Sequence, residues 1–304
     1  QHRLREHRLK QAEKFSWDAT AIRTLRALEA HAARAAAPAP PRRKRKLAFV
    51  SPMPPERTGI ADYAVDCLPA LAEHFDIELI TNQHEVVLPP ALAQMAWRDL
   101  AWFEQNADQY DQLIYQFGNS PFHSHMFALL EKHPGVVVLH DFYLSSVLAY
   151  EQMTGAMPRA WTDALYHSHG YRAVQAALAP GGAEQAKLDY PCNLAVLQNA
   201  SAVIVHSAYA RELARSWYGL DAGRNWHVVL HPRSAPPVQA REQARQALGI
   251  APAAFVVCSF GFVDSSKLSH RLLEAWRASS LASDSSCELV FVGANHGGAY
   301  GQQL

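Results

Sequence analysis

A lysine follows a glycine turn late in the sequence, in a pattern that could hold a phosphate group. Gly261 comes just after the apolar run 255–258, and Lys267 precedes a helix-like stretch at 272–276. Backbone N–H groups at a glycine turn and at the start of a helix attract anions, and a lysine ammonium can pair with them. The pattern predicts a phosphate-binding loop, although a strand, a glycine turn and a lysine also recur in αβ units that bind no phosphate.

A second glycine loop lies much earlier in the chain. It follows the strand-like residues 47–50 and carries Arg57, Thr58 and Gly59 ahead of a helical stretch. The prolines before Gly59 prevent an earlier helix start, and the missing Cβ of Gly59 allows a ligand to approach the backbone. Arg57 could contact a phosphate or lie on a solvated loop. Two such units, one in each half, predict a cleft between two Rossmann-like lobes.

Strands and helices alternate between these loops, as a parallel sheet requires. Strands are predicted at 46–50, 76–81, 112–117, 136–140, 202–206 and 226–230, and helices at 60–73, 124–132 and 208–217. Residues 157–200 are also predicted to be helical, with an interruption at 179–182. Apolar runs such as 136–139 are typical of strands that are buried on both faces. Two further strands, 255–258 and 288–292, begin the second lobe.

Polar residues at the ends of two predicted strands are candidates for chemistry. His140 and Asp141 end the strand at 136–140, and Gly118 and Asn119 follow the strand at 112–117. All four therefore lie at the carboxyl edge, where open α/β sheets bind ligands. The structural alternative is a capping histidine and an aspartate N-cap for a helix at 142–150. Ser207, which follows the strand at 202–206, is predicted to cap the next helix.

These motifs together resemble those of the retaining glycosyltransferases of family 4, which have the GT-B fold. The resemblance rests on residues 54–63, 116–120, 138–141, 203–207 and 260–262 with Lys267. It implies an α/β protein that moves a hexose, mannose or a related sugar, from a nucleotide-diphosphate sugar to a growing glycan with retention at the anomeric carbon. The family's usual setting is bacterial envelope polysaccharide synthesis, such as that of O-antigen and lipopolysaccharide, on lipid-linked or polysaccharide acceptors.

The resemblance also implies roles for the candidate residues. His140, with Asp141 beside it, would lie next to the transferred sugar, and Gly118 and Asn119 would lie on the acceptor side. The groups that hold the sugar donor's diphosphate would be Arg57, Thr58, Gly59, Gly261, Lys267 and Arg271, so no metal or other cofactor is expected. Many family members have arginine at the position of Phe262, and Arg271, four residues after Lys267, is predicted to be a partial substitute on the same helical face.

Five segments are predicted along the chain. Residues 1–34 form a helical tail similar to the end of another family 4 domain, and residues 35–46 form a basic linker rich in Pro and Ala. Residues 47–231 form the first lobe, 232–252 the connection, and 253–304 the start of the nucleotide-sugar lobe. This organisation predicts a fragment of a tandem-domain enzyme without transferase activity of its own. The family's pair of glutamates would then follow Leu304.

Composition narrows the possible partners and the location. Residues 1–46 carry 13 Lys and Arg against 4 Asp and Glu, which fits a solvated linker or an attraction to an anionic membrane surface. Nothing downstream resembles a nucleic-acid-binding module, so no nucleic-acid partner is expected. The four cysteines show neither zinc spacing nor a disulfide framework, and no apolar run is long enough to span a membrane. A cytoplasmic location is predicted, at most peripheral to the membrane.

Two other histidine pairs do not predict a metal site, and two function classes other than a transferase stay open. His123 and His125, like His167 and His169, are separated by one residue and would diverge on a helix, which argues against a metal site. A GT-B epimerase of nucleotide sugars would need catalytic carboxylates in the cleft. A non-catalytic module that binds a glycan or a nucleotide, within a tandem enzyme, would need none.

Overall fold

The computed structural model describes residues 43–231, 240–263, 267–295 and 298–304, which fall into two compact units divided between residues 233 and 234. The predicted helical tail at 1–34 and most of the basic linker lie outside the described residues. Part of the predicted connection at 232–252 also lies outside them.

The first unit is built on a parallel sheet of seven strands. The strands are β1 Arg45–Val50, β2 Phe75–Ile80, β3 Trp97–Arg98, β4 Gln112–Phe117, β5 Val136–Leu139, β6 Ala202–Val205 and β7 His227–Val228. Their spatial order is β3-β2-β1-β4-β5-β6-β7. The chain therefore proceeds outward in opposite directions from β1 and from β4, and the crevice between these two strands is the topological switch point of the sheet.

Nine helices connect these strands within the described part of the unit. They are α1 Gly59–Ala72, α2 Leu100–Asn106, α3 His125–Lys132, α4 Ser145–Thr154, α5 Ala160–His169, α6 Tyr171–Leu178, α7 Gly182–Asp189, α8 Leu194–Asn199 and α9 Ala208–Tyr218. The helix α1 begins at Gly59, as the prolines before it predict. Five of these helices, α4 to α8, form one long helical insertion between β5 and β6.

The sheet separates two hydrophobic cores. On β1, Leu47 and Phe49 pack into one core, and Ala48 and Val50 pack into the other. Successive side chains of a strand point to opposite faces, so an unbroken apolar run fills both cores at once. The prediction of strands buried on both faces is therefore confirmed for β1.

The second unit contains two parallel strands, β8 Phe255–Phe260 and β9 Cys287–Val292, in the described residues. Its helices are α10 Arg241–Ala247, α11 Ser269–Ala278 and α12 Ala299–Gln303. The strand–helix alternation predicted from the sequence is present in both units. The predictions did not include β3 or α2, and the helix expected at 142–150 begins only at Ser145.

Candidate functional site

A chain of hydrogen bonds links His140 to three other strands or strand ends at the carboxyl edge of the first unit. The Nε2 atom of His140 lies 2.8 Å from Oε1 of Gln116, on β4. Its Nδ1 atom lies 3.2 Å from Nε2 of His206, directly after β6. In turn, Nδ1 of His206 lies 2.8 Å from the backbone oxygen of Val229, just beyond β7. Both ring nitrogens of His140 are therefore engaged within the protein.

Tyr63 of α1 brings these rings and His231 together. Its ring centroid lies 4.7 Å from that of His140, 5.3 Å from that of His206 and 4.9 Å from that of His231. We call these four residues the histidine–tyrosine cluster. Of these four residues, the sequence predicted only His140 as a site residue. His206 and His231 could have been found by the same rule, because each closes or directly follows a predicted strand.

Burial keeps two histidines of the cluster neutral. Desolvation, together with smaller contributions from the neighbouring imidazoles of His206, His123 and His231, lowers the pKa of His140 to about 3. Burial also lowers the pKa of His206, although the carbonyl of Val229 favours its protonated form. At neutral pH both rings are therefore uncharged, and each carries one N–H donor and one lone-pair acceptor.

Asp141 and Asn119 support the loops at this edge. The Asp141 carboxylate accepts a hydrogen bond of 2.9 Å from the backbone N–H of Asn119. The Asn119 side-chain oxygen accepts one of 3.0 Å from the backbone N–H of Val147, in the first turn of α4. Asp141 therefore does not cap a helix that follows it. The backbone N–H in the first turn of α4 is instead bound by Asn119, which comes before β5 in the sequence.

Gly118 is packed against buried neighbours. A Cβ atom at Gly118 would lie 2.4 Å from Cδ1 of Ile60 and 2.8 Å from Nε2 of His123. His123 is fully buried, and its ring nitrogens lack a partner with good hydrogen-bond geometry among the described residues. Desolvation lowers its pKa to about 4, weakly opposed by the backbone of Gln116. The absence of a side chain at residue 118 therefore serves this packing.

A cavity of about 210 Å³ opens at the switch point, between the loops that follow β1, β2 and β4. Its polar lining includes Glu56, Asn82 and His125. Burial lowers the pKa of His125 to about 4, and its Nε2 atom has no hydrogen-bond partner in the described part of the chain. The Gln83 side chain holds the loop after β1 by bonding both the N–H and the carbonyl of Met53, at 2.7 and 2.8 Å.

The first glycine loop is shaped by its helix cap. The Thr58 hydroxyl accepts a hydrogen bond of 3.1 Å from the backbone N–H of Ile60, at the start of α1. Gly59 is exposed, and a Cβ atom there would meet nothing within 4 Å. Arg57 is exposed as well. Internal packing therefore does not require glycine at residue 59.

The second unit holds the other predicted loop. Gly261 and Gly293 follow β8 and β9 with φ of 121° and 157°, and a Cβ at Gly293 would lie 1.9 Å from the oxygen of Gly261. The two loops therefore run side by side. Lys267 and Arg271 were predicted to share one helical face, which is wrong. Leu268 has a left-handed φ of 56°, and the helix that carries Arg271 begins after it.

The remaining predicted positions have structural partners or stay exposed. Ser207 occupies the N-cap position of α9, but its side chain forms no capping hydrogen bond. Nε2 of His167 lies 2.9 Å from the side-chain oxygen of Gln198, and Nε2 of His169 accepts a bond of 3.1 Å from the backbone N–H of Cys192. Within the described ranges, no group of three or more His, Cys, Asp or Glu residues could hold a metal ion. Those ranges contain no helix that is long and apolar enough to cross a membrane.

Solved structures identify the class of fold. The chain is similar to HepE from Anabaena in complex with UDP and glucose, at 16% identity and a TM-score of 0.50, over 85% of this chain and 64% of HepE. The HepE complex with UDP-glucose gives 16% identity, 84% and 62% coverage, and a TM-score of 0.49. UGT2 from Phytolacca americana, complexed with UDP-2-fluoro-glucose and pterostilbene, gives 11% identity, 82% and 72% coverage, and a TM-score of 0.40.

The fold prediction, α/β of the GT-B class of glycosyltransferase folds, is confirmed. At this level of identity the similarity to HepE shows the fold alone. The chain spans less than two thirds of the length of HepE. No protein-family model matches the chain, and no curated protein sequence matches it.

Proposed function

We propose that the chain takes part in sugar transfer from a nucleotide-diphosphate sugar to a glycan acceptor. The observation that carries this proposal is a GT-B fold in which the neutral rings of His140 and His206 lie at the carboxyl edge of the first sheet. This edge is where open α/β sheets bind ligands. The finer proposal is a hexosyltransferase of family 4 that retains the anomeric configuration. It would act at the cytoplasmic membrane face, on an envelope polysaccharide acceptor.

In this proposal, the second unit binds the diphosphate of the sugar donor. The loops of Gly261 and Gly293 run side by side at the carboxyl ends of two parallel strands. Exposed backbone at such an edge can approach a phosphate closely, and Lys267, six residues after Gly261 in the sequence, is exposed. Lys267 and the loop amides would neutralise the leaving diphosphate without a metal ion. Arg271 is proposed to assist from its own helix. Arg57 and Gly59, both exposed on the first unit, are proposed separately as phosphate-contacting residues.

The acceptor is proposed to bind at the switch point of the first unit. The 210 Å³ cavity there presents a carboxylate from Glu56, an amide from Asn82 and a neutral imidazole from His125. Neutral and anionic oxygen and nitrogen atoms of this kind are suitable partners for sugar hydroxyl groups.

Calorimetric titration with UDP and with GDP tests the proposal about the sugar donor. We expect the chain to bind at least one of them, and we expect Lys267→Ala to weaken that binding by about tenfold or more, as the loss of a charge-assisted hydrogen bond implies. Lys132→Ala is a matched control, because this lysine is exposed and pairs with Glu104 on the first unit. Binding of neither nucleotide would refute nucleotide-sugar use by this chain.

One observation favours a second candidate, a non-catalytic module that binds a glycan or a nucleotide. Both ring nitrogens of His140 are hydrogen-bonded inside the protein, so the ring is not free to move a proton. Such a module would bind UDP or GDP yet leave the corresponding sugar nucleotide intact. Incubation of the chain with UDP-glucose and GDP-mannose, followed by chromatography, tests this candidate. Released nucleotide would exclude a non-catalytic module, whereas an intact sugar nucleotide is expected both from such a module and from the inactive fragment that the sequence predicts.

A further inference from the structure

The positions of the protons in the hydrogen-bond chain from Gln116 to Val229 follow from one atom whose role is known. The backbone oxygen of Val229 can only accept, so Nδ1 of His206 must carry the N–H that it receives over 2.8 Å. In a neutral His206, Nε2 then carries no proton and can only accept a hydrogen bond. The 3.2 Å contact to His140 therefore requires the N–H on Nδ1 of His140.

The same logic fixes the other nitrogen of His140. With its proton on Nδ1, the neutral ring has a lone pair on Nε2. The group of Gln116 that lies 2.8 Å away must then donate. It does so when the amide of Gln116 is turned by half a rotation, an exchange of oxygen and nitrogen that leaves its shape unchanged. Each acceptor in the chain then faces one donor.

We propose that His206 is a positioning residue that fixes His140 as its Nδ1–H tautomer, with Nε2 as a hydrogen-bond acceptor. The inference rests on the proposed function, in which His140 lies beside the transferred sugar. A sugar hydroxyl that takes the place of the Gln116 amide would then donate to His140. The site would recognise a free hydroxyl group and would discriminate against deoxy and O-methyl sugars at that position.

Other members of the cluster hold the two rings in place. The Tyr63 side chain interacts with Cys67, one turn further along α1. The Tyr63 ring contacts His140 at an interplanar angle of 82°. His231 contacts His206 with ring centroids 5.0 Å apart.

Long-range ¹H–¹⁵N spectroscopy of histidine side chains at neutral pH tests the proposal, because ring ¹⁵N shifts report the tautomer. We expect the Nδ1–H tautomer for His140 in the wild-type chain. His206→Ala removes the acceptor and should shift His140 towards the Nε2–H form. His206→Gln should restore Nδ1–H, because its amide can accept from His140 and donate to Val229. His84→Gln, at an exposed histidine outside the cluster, is the control and should leave the tautomer of His140 unchanged.

Two results would overturn the proposal. One is the Nε2–H tautomer of His140 in the wild-type chain, a measurement that needs no variant to fold. The other is an unchanged Nδ1–H tautomer in a folded His206→Ala chain. Neither result depends on sugar transfer. Loss of UDP and GDP binding, by contrast, would count against the proposed function and would leave the tautomer assignment intact.

Discussion

Protonation of His123 should make the first unit sensitive to acid. Its pKa is lowered from 6.5 to about 4, chiefly by desolvation. Between these pH values His123 is protonated in the unfolded chain but not in the folded chain. The free energy of unfolding therefore falls as the pH decreases from 6.5 towards 4. At pH 5 this one residue costs about 2 kcal/mol relative to pH 7. That is a large share of a typical total stability of about 5–15 kcal/mol.

The substitution His123→Leu removes this contribution and keeps the position apolar. We expect the loss of unfolding free energy between pH 7 and pH 5 to be smaller in the variant by about 2 kcal/mol. Guanidinium denaturation followed by tryptophan fluorescence at both pH values measures the difference. His84→Leu, at an exposed histidine, corrects for the removal of an imidazole as such. An equal loss in the wild type and the His123 variant would refute the burial argument.

Two further predictions concern residues at the carboxyl edge. Gly118→Ala should lower the thermal midpoint by an amount equivalent to about 1–3 kcal/mol, because its Cβ would overlap Ile60. Gly59→Ala is the control and should be tolerated, because nothing lies within 4 Å of a Cβ there. Equal midpoints of the two variants would contradict this argument. Asp141→Ala should destabilise the chain by about 0.5–1.5 kcal/mol through the loss of the hydrogen bond from the Asn119 amide. Asp141→Asn should retain most of the stability, since its side-chain oxygen can still accept, and calorimetric melting compares the two variants.

Local patterns were sufficient to predict most of the fold. The strand at 112–117 is found with the predicted bounds, because Leu113, Ile114 and Tyr115 form a continuous apolar run of the kind that a sheet covered on both faces requires. The two-residue strand Trp97–Arg98 was not predicted, because two residues are too few to show the alternation of apolar and polar side chains that marks a strand. They form a strand only because β2 supplies hydrogen-bond partners, through the bonds from Leu79 to Ala96 and from Thr81 to Arg98.

The candidate site was predictable only in part. His140 was found because it ends a buried strand, a feature that a sequence displays. The cap from Asn119 to Val147 joins residues that are 28 positions apart, and it depends on how two loops meet after folding. Likewise, the left-handed backbone at Leu268 carries no sequence signal, because leucine rarely adopts that conformation. These features depend on tertiary contacts rather than on local propensity.

The charges of the candidate residues predict which of them meet the phosphates of a bound nucleotide. A diphosphate beside the buried, neutral rings of His140 and His206 would raise their pKa, and binding would then take up protons from solution. A lysine ammonium such as that of Lys267 carries its charge before the anion arrives, so binding there takes up none. The terminal phosphate of UDP or GDP has a pKa of about 6, so binding at a lysine can release protons but cannot take them up. We therefore expect the dependence of the binding heat on the ionisation enthalpy of the buffer to show no net proton uptake at pH 7. Net proton uptake that grows as the pH falls towards 6, and that disappears in His140→Gln, would instead place the phosphates against the histidine–tyrosine cluster.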